Sequence, residues 1–172
     1  SVIALAGVLR RRLRGVVPEE EFGYLEVIER NGQNLLALIN DILDLSRIEA
    51  GREEIARHRF SFAELAEEVT AMIGPQAREK NIALVNRVTV ELPPLYSDYA
   101  KCRHILQNLV GNAVKFTEAG RVEVTAETVG KELRITVTDT GVGIPADQIP
   151  FIFDEFRQAD DSLSRKYGGS GL

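Results

Sequence analysis

Over the first fifty residues the apolar positions recur at helical spacing. Past about residue 60 the pattern becomes a mixture of helical stripes and period-two alternation. Val2, Leu5, Leu9, Leu13 and Val16 fall three or four apart and predict a first helix, which Gly15 can stop. Pro18 suits the first turn of a second helix, and Glu19, Glu20 and Glu21 lie where its dipole favours acids. The stripe of that helix is Leu25, Ile28, Gly32, Leu35, Ile39 and Ile42, with the 3-4-3-4-3 spacing of a coiled-coil or four-helix-bundle seam. Leu36, Leu38, Leu43 and Leu45 widen it as a bundle core requires, and Gly51 marks its end. Two helices joined by a short turn make an antiparallel hairpin. One so narrow cannot bury both faces, so dimerisation into four helices is expected.

Residues 52–59 are charged and read as a linker entering a short strand. Ser61 and Glu64 have the spacing of a capping box, with Phe60 and Leu65 placed as a hydrophobic staple, so a helix is predicted from Ser61 to about Lys80. Ile82 to Val90 reads as a strand, and Pro93-Pro94 as a loop. Asp98 can cap a further helix to about Lys115. Residues 121–127 and 132–138 alternate with period two and read as half-buried strands of a hairpin through Gly130. The expected fold class is α+β. A helical hairpin over residues 1–52 precedes a helical layer on a mixed sheet over residues 53–172.

Composition narrows the function. Lys plus Arg is 21 and Asp plus Glu 26, a formal net charge of −5, which disfavours broad nucleic-acid binding. The cluster Arg10, Arg11, Arg12 and Arg14 could bind nucleic acid or acidic lipid, but a solvated helix end explains it more simply. No apolar run reaches the length of a membrane span, so this piece is not expected to cross a membrane, and it shows no signal-peptide pattern. The one cysteine, Cys102, excludes an internal disulfide and fits a reducing compartment. There is neither a C-x-x-C pair nor an H-E-x-x-H, so a zinc site is not expected.

Four stretches carry candidate chemistry. On the helix from Asp98, residues Cys102, Ile105, Leu106, Leu109, Val110 and Ala113 share one broad arc. Asn108, Asn112 and Lys115 fall on another, extended by Lys101 and His104. Carboxamide oxygens suit Mg²⁺ and a nearby Lys suits phosphate; a solvated polar face is the alternative. Asp139-Thr-Gly-Val-Gly-Ile-Pro145 follows a strand. Its Asp can accept from a buried amine, while Gly141 and Gly143 allow close backbone approach. An aspartic protease would need a second such carboxylate, and only one copy exists. Residues 151–156, Phe-Ile-Phe-Asp-Glu-Phe, precede a polar stretch from Arg157 to Tyr167 that reads as a flap anchored by aromatics. Gly168-Gly169-Ser170-Gly171 can form a phosphate-cradling nest, or else a linker.

In this order the four stretches resemble the nucleotide-binding boxes of sensor histidine kinases, whose catalytic domain has the GHKL (Bergerat) ATP-binding fold. Gln107 to Thr117 is similar to the N box, Asp139 to Pro145 to the G1 box, Phe151 to Phe156 to the F box, and Tyr167 to Leu172 to the start of the G2 box. Leu38 to Gly51 resembles the second helix of the dimerisation and phosphotransfer domain. The resemblance implies a two-layer α/β sandwich and ATP and Mg²⁺ as cofactors. It also implies a homodimer, a response-regulator receiver domain as partner, and a cytoplasmic location. Asn112, assisted by Asn108, would hold Mg²⁺, Lys115 would contact phosphate, and Asp139 would accept from the adenine amine. Gly141 and Gly143 would shape the base pocket, with Phe116, Ile144 and Phe156 completing the nucleotide-binding set. Arg165, Lys166, Gly168, Gly169, Ser170 and Gly171 would close over the triphosphate.

Two departures stand against this pattern. The family's phosphoacceptor His sits in an H-x-x-R-T-P-type motif, which would fall shortly before Ser1; His58 and His104 are not substitutes. The family's fold also continues past the G2 box, so the chain is expected to be a fragment with an incomplete catalytic domain. Two rivals remain. A GHKL ATP hydrolase would carry a Glu as general base where this chain has Asn108, and an amide cannot take a proton at neutral pH. A dimeric pseudokinase acting as a binding module is disfavoured by Asn112 and Asp139. Lys115-Phe116-Thr117 and residues 153–160 are similar in style to hybrid kinases with an attached receiver.

Overall fold

A computed structural model describes residues 2–51 and 54–152. They divide into two compact units, one up to residue 51 and the other from residue 54.

The first unit is an α-hairpin. Helix α1 spans Val2–Leu13 and helix α2 spans Glu19–Glu49, with Gly15 at φ 74° in the turn between them. The three glutamates occupy the first turn of α2, and Ala50 and Gly51 close its end. Ala6 of α1 is buried. Gly32 lets the helices approach, because a β-carbon there would stand 2.7 Å from Ile3 Cγ1. Arg10 is more than part of a solvated helix end: its Nε lies 2.9 Å from Glu29 Oε2 across the hairpin. Of the predicted seam, Leu25 and Gly32 are half-buried, whereas Ile28, Leu35, Ile39 and Ile42 are exposed. No helix among the described residues is long and apolar enough to cross a membrane.

The second unit is a helical layer on a mixed sheet. Strand β1 (His58–Phe60) leads into α3 (Phe62–Glu79), whose N-cap Ser61 accepts the Glu64 N–H at 3.3 Å. Strands β2 (Ile82–Asn86) and β3 (Leu95–Ser97) precede α4 (Tyr99–Phe116). The hairpin of β4 (Gly120–Val129) and β5 (Glu132–Asp139) turns through Gly130 at φ 64°. The main sheet has the order β2-β4-β5, with β2 parallel and β5 antiparallel to β4. Phe62, Leu65 and Val69 of α3 and Leu106, Val110 and Val114 of α4 are buried on Val122 and Val124 of β4. Burying side chains of this size supplies about 1.5–3 kcal/mol each, which makes this layer the stabilising core.

Two expectations are corrected and a third is extended. The strand predicted over 82–90 ends at Asn86, because the Asn86 side chain accepts the Val88 N–H at 3.0 Å and turns the chain out of the ladder. The short strand expected after the charged linker forms as β1, and the segment after Pro94 pairs with it as β3, three residues each. The run after Pro94 is too short to carry a readable alternation. On α4, Ile105 and Leu109 are exposed although they share the apolar arc. Among the described residues, Leu106, Val110, Ala113 and Val114 are in the core with α3, Gln107 and Gly111 line the cleft beside it, and Ile105 and Leu109 lie on the far side of α4.

Candidate functional site

Helix α4 is fixed at both ends. At its start Asp98 accepts the Lys101 N–H on Oδ1 (3.1 Å) and the Ala56 N–H on Oδ2 (2.9 Å). These backbone donors, Lys101 first, hold the Asp98 carboxyl below its ordinary value. At its end Thr117 N–H bonds back to Ala113 O at 3.1 Å. The helical register then sets Asn108 and Asn112 one turn apart, both exposed, with Lys115 half-buried beside them. All three line a cleft of about 520 Å³, whose other wall is formed by Ile73, Gln76 and Lys80 around the end of α3. The Lys115 ammonium lies 5.0 Å from the centre of the Phe116 ring, and burial pushes its pKa down.

Asp139 closes β5, paired with Val122 of β4. Its Oδ1 accepts the Gly141 N–H at 2.8 Å, which sets the turn, and its Oδ2 has no partner among the described residues. Gly143 has φ 69°, a region that favours glycine. Val142 and Ile144 beside it are exposed apolar side chains. None of these residues lines the α3–α4 cleft, so the cleft by itself is not the whole site. The turn meets α4 at one residue: the Val142 N–H donates to Phe116 O at 3.4 Å, and Gly141 packs directly against that carbonyl. Phe116 thus joins the helix bearing Asn108, Asn112 and Lys115 to the turn bearing Asp139, Gly141, Gly143 and Ile144. Phe156, Arg165, Lys166, Gly168, Gly169, Ser170 and Gly171 lie outside the described residues.

The donor set fits a nucleotide with a divalent cation. Two exposed carboxamide oxygens are hard ligands, and a partly desolvated ammonium gains by meeting an anion. An available carboxylate oxygen next to exposed apolar side chains suits an amine on a flat ring.

Three residues at the site were not anticipated. Thr140 Oγ1 accepts the Arg121 N–H at 3.0 Å, and the Thr140 N–H donates to Arg121 O at 3.1 Å, anchoring the turn to β4. Gly120, at φ 114°, has no room for a β-carbon against Thr140. Lys80, the C-cap of α3, bonds to the end of α4. The Thr between Asp139 and Gly141 was a visible signal; the other two depend on contacts across the fold.

Comparison with known proteins places both units. The family described as "Histidine kinase-, DNA gyrase B-, and HSP90-like ATPase" matches residues 97–172, and the "His Kinase A (phospho-acceptor) domain" family matches residues 1–51. The sensory/regulatory protein RpfC of Xanthomonas campestris is 43% identical over 156 residues, covering 86% of this chain and 21% of that protein. The signal transduction histidine-protein kinase BarA of Escherichia coli is 34% identical over 172 residues, covering 96% of this chain and 19% of BarA. The chain thus spans about a fifth of the length of these relatives. A crystal structure of full-length ShkA in complex with AMPPNP superposes with a TM-score of 0.76 at 33% identity, over 99% of this chain and 38% of that one. With one kinase family matching the hairpin, another matching the α/β unit, and named kinases aligning across both, the chain belongs to the sensor histidine kinases, with a catalytic unit of the GHKL type.

Proposed function

We propose that this chain is the dimerisation and nucleotide-binding core of a kinase that transfers the γ-phosphoryl group of Mg-ATP to a histidine and then to an aspartate of a response-regulator receiver. The observation that carries this reading is the meeting of two motifs at Phe116: the Asn108–Asn112–Lys115 face of α4 and the Asp139–Gly141 turn. In this reading Asn112, with Asn108, holds Mg²⁺, Lys115 contacts phosphate, and Asp139 accepts from the adenine amine. Held by these carboxamides, Mg²⁺ would supply charge neutralisation at the phosphate oxygens. Asn108 offers no carboxylate to deprotonate water, which supports transfer over hydrolysis. In the transfer an imidazole nitrogen attacks phosphorus, the bond to the ADP oxygen breaks, and the imidazole proton leaves to solvent. The exposed α2 stripe supports a homodimer. The net charge of −5 supports a partner other than nucleic acid, and dependence on ATP is in keeping with a cytoplasmic location.

The test is Asn112→Ala. Mg²⁺-dependent binding of a fluorescent ATP analogue to the chain and histidine phosphorylation by the whole kinase should both be lost, with the circular dichroism spectrum unchanged. Near-normal phosphorylation would overturn the metal-ligand assignment.

A further inference from the structure

The carbonyls at the end of α4 have unusual partners. A helix leaves its last carbonyls without intrahelical donors, and buried ones need partners from elsewhere. Ala113 O accepts the Thr117 N–H at 3.1 Å, and Phe116 O accepts the Val142 N–H at 3.4 Å. The other three go to one side chain: Lys80 Nζ donates to Val114 O at 2.8 Å, Lys115 O at 2.7 Å and Thr117 O at 3.0 Å. Val114 and Thr117 are buried, so water is not a ready substitute. An ammonium carries three N–H groups and a full positive charge, and both match a converging set of carbonyls at the negative end of a helix.

The backbone puts Lys80 there. It is the C-cap residue of α3, held by its N–H to Gln76 O at 3.3 Å. Asn81 follows at φ 56° and turns the chain into β2. The carbonyls it binds bracket Phe116, whose own carbonyl receives the turn that carries Asp139.

We propose that Lys80 is a positioning residue for nucleotide binding: it clamps the last turn of α4 so that Lys115 and Phe116 stay in register with the Asp139–Val142 turn. The inference rests on the nucleotide-site reading above. Lys80 touches no reacting atom in this scheme and acts through the α4 backbone.

The experiment compares wild type, Lys80→Met and Lys80→Arg by amide hydrogen exchange of the chain and by steady-state kinetics of the whole kinase. Met keeps the stem and loses the donors; Arg keeps charge and donors. In Lys80→Met the Phe116 and Thr117 amides should exchange at least about tenfold faster, the expected size of a local opening when buried carbonyls lose partners. The Leu109 and Val110 amides of the same helix should be unchanged. KM for ATP should rise by about tenfold with kcat largely kept, the sign of lost binding rather than lost chemistry. Lys80→Arg should recover most of both effects. Unchanged exchange at Thr117 would overturn the clamp, as would faster exchange spread evenly along α4. Faster local exchange with an unaltered KM would reduce Lys80 to a purely structural residue and overturn its positioning role. Failure of the wild-type chain to bind Mg-ATP would instead overturn the nucleotide reading, while the exchange data would still decide the clamp.

Discussion

The carbonyl oxygen of Phe116 stands 2.6 Å from the point a β-carbon on Gly141 would occupy. Asp139 Oδ1 is 2.9 Å from the same point. The helix with the carboxamides and the turn with the carboxylate therefore meet backbone on backbone, and only glycine permits it.

Gly141→Ala and Gly143→Ala should differ for this reason. At Gly141 the added methyl meets a carbonyl that cannot step aside, an overpacking cost of about 1–3 kcal/mol that also displaces Asp139. At Gly143 nothing lies within 4 Å, and the cost comes only from φ 69°, about 1–2 kcal/mol. Gly143→Asn should recover part of that loss, since Asn tolerates the left-handed region. Urea denaturation and nucleotide titration together check this. Gly141→Ala should lose binding beyond its loss of stability, and equal effects at the two glycines would refute the contact.

Much of this arrangement was legible in the sequence because it depends on local rules. Ser61 and Asp98 are capping residues recognisable from the residues that follow them, and both caps form. The alternation holds on β4, where Val122 and Val124 are buried, and only partly on β5, where Leu133 and Val137 are half-buried but Ile135 on the same face is exposed. What escaped depends on distant partners. The Lys80 clamp joins residues 34 to 37 positions apart, and the Asp98–Ala56 bond spans 42. The exposure of Ile105 and Leu109 escaped because a helical wheel shows an apolar arc without showing what covers it. At the site, the polar face of α4 and the Asp-Thr-Gly turn could each be read from spacing. Their meeting at Phe116 could not, since no pattern encodes which carbonyl a turn will rest on.

Asp98 should make stability acid-sensitive. Its folded pKa lies below the ordinary value of 3.8, so its stabilising effect is present above that value and lost as pH falls through the folded pKa. Asp98→Asn keeps one cap acceptor but turns an amide donor toward the Ala56 N–H. At neutral pH this variant should melt several degrees below wild type, and the gap should close below about pH 4, the reference range for Asp. Thermal melts from pH 2.5 to 7 provide the check; a gap that persists undiminished at the acid end would show that the Asp98 charge is not what matters.

Asp139 should read the base. Replacing its carboxylate by an amide in Asp139→Asn exchanges a charged acceptor for a neutral one, at about 1.5–3 kcal/mol of ATP affinity. Inosine triphosphate lacks the amino donor, so wild type should bind it poorly and Asp139→Asn should discriminate less between the two nucleotides. Competition titrations with both nucleotides measure this. Equal affinity of wild type for ATP and ITP would remove Asp139 from base recognition.

Lys115 offers a test that separates its effect on stability from its effect on nucleotide binding. Burial lowers its folded pKa below the ordinary 10.5, so folding disfavours the charged form. Between the folded value and 10.5 the unfolded chain binds more protons, and stability rises with pH across that window. Below the window, neutral pH included, the penalty is present in full. Lys115→Met keeps the stem over the Phe116 ring and removes the charge. Without nucleotide its stability should not rise through the alkaline window as that of wild type does. A bound phosphate would favour the charged ammonium that burial disfavours. Mg-ATP at 100 times its dissociation constant should stabilise wild type by about 2.7 kcal/mol, and the same concentration should stabilise Lys115→Met far less. Melting curves of both proteins with and without Mg-ATP, at pH 7 and in the alkaline window, measure all four states. Equal stabilisation of the two proteins by nucleotide would show that Lys115 does not meet the phosphate, and a variant whose stability still rises through the alkaline window would show that another group titrates there.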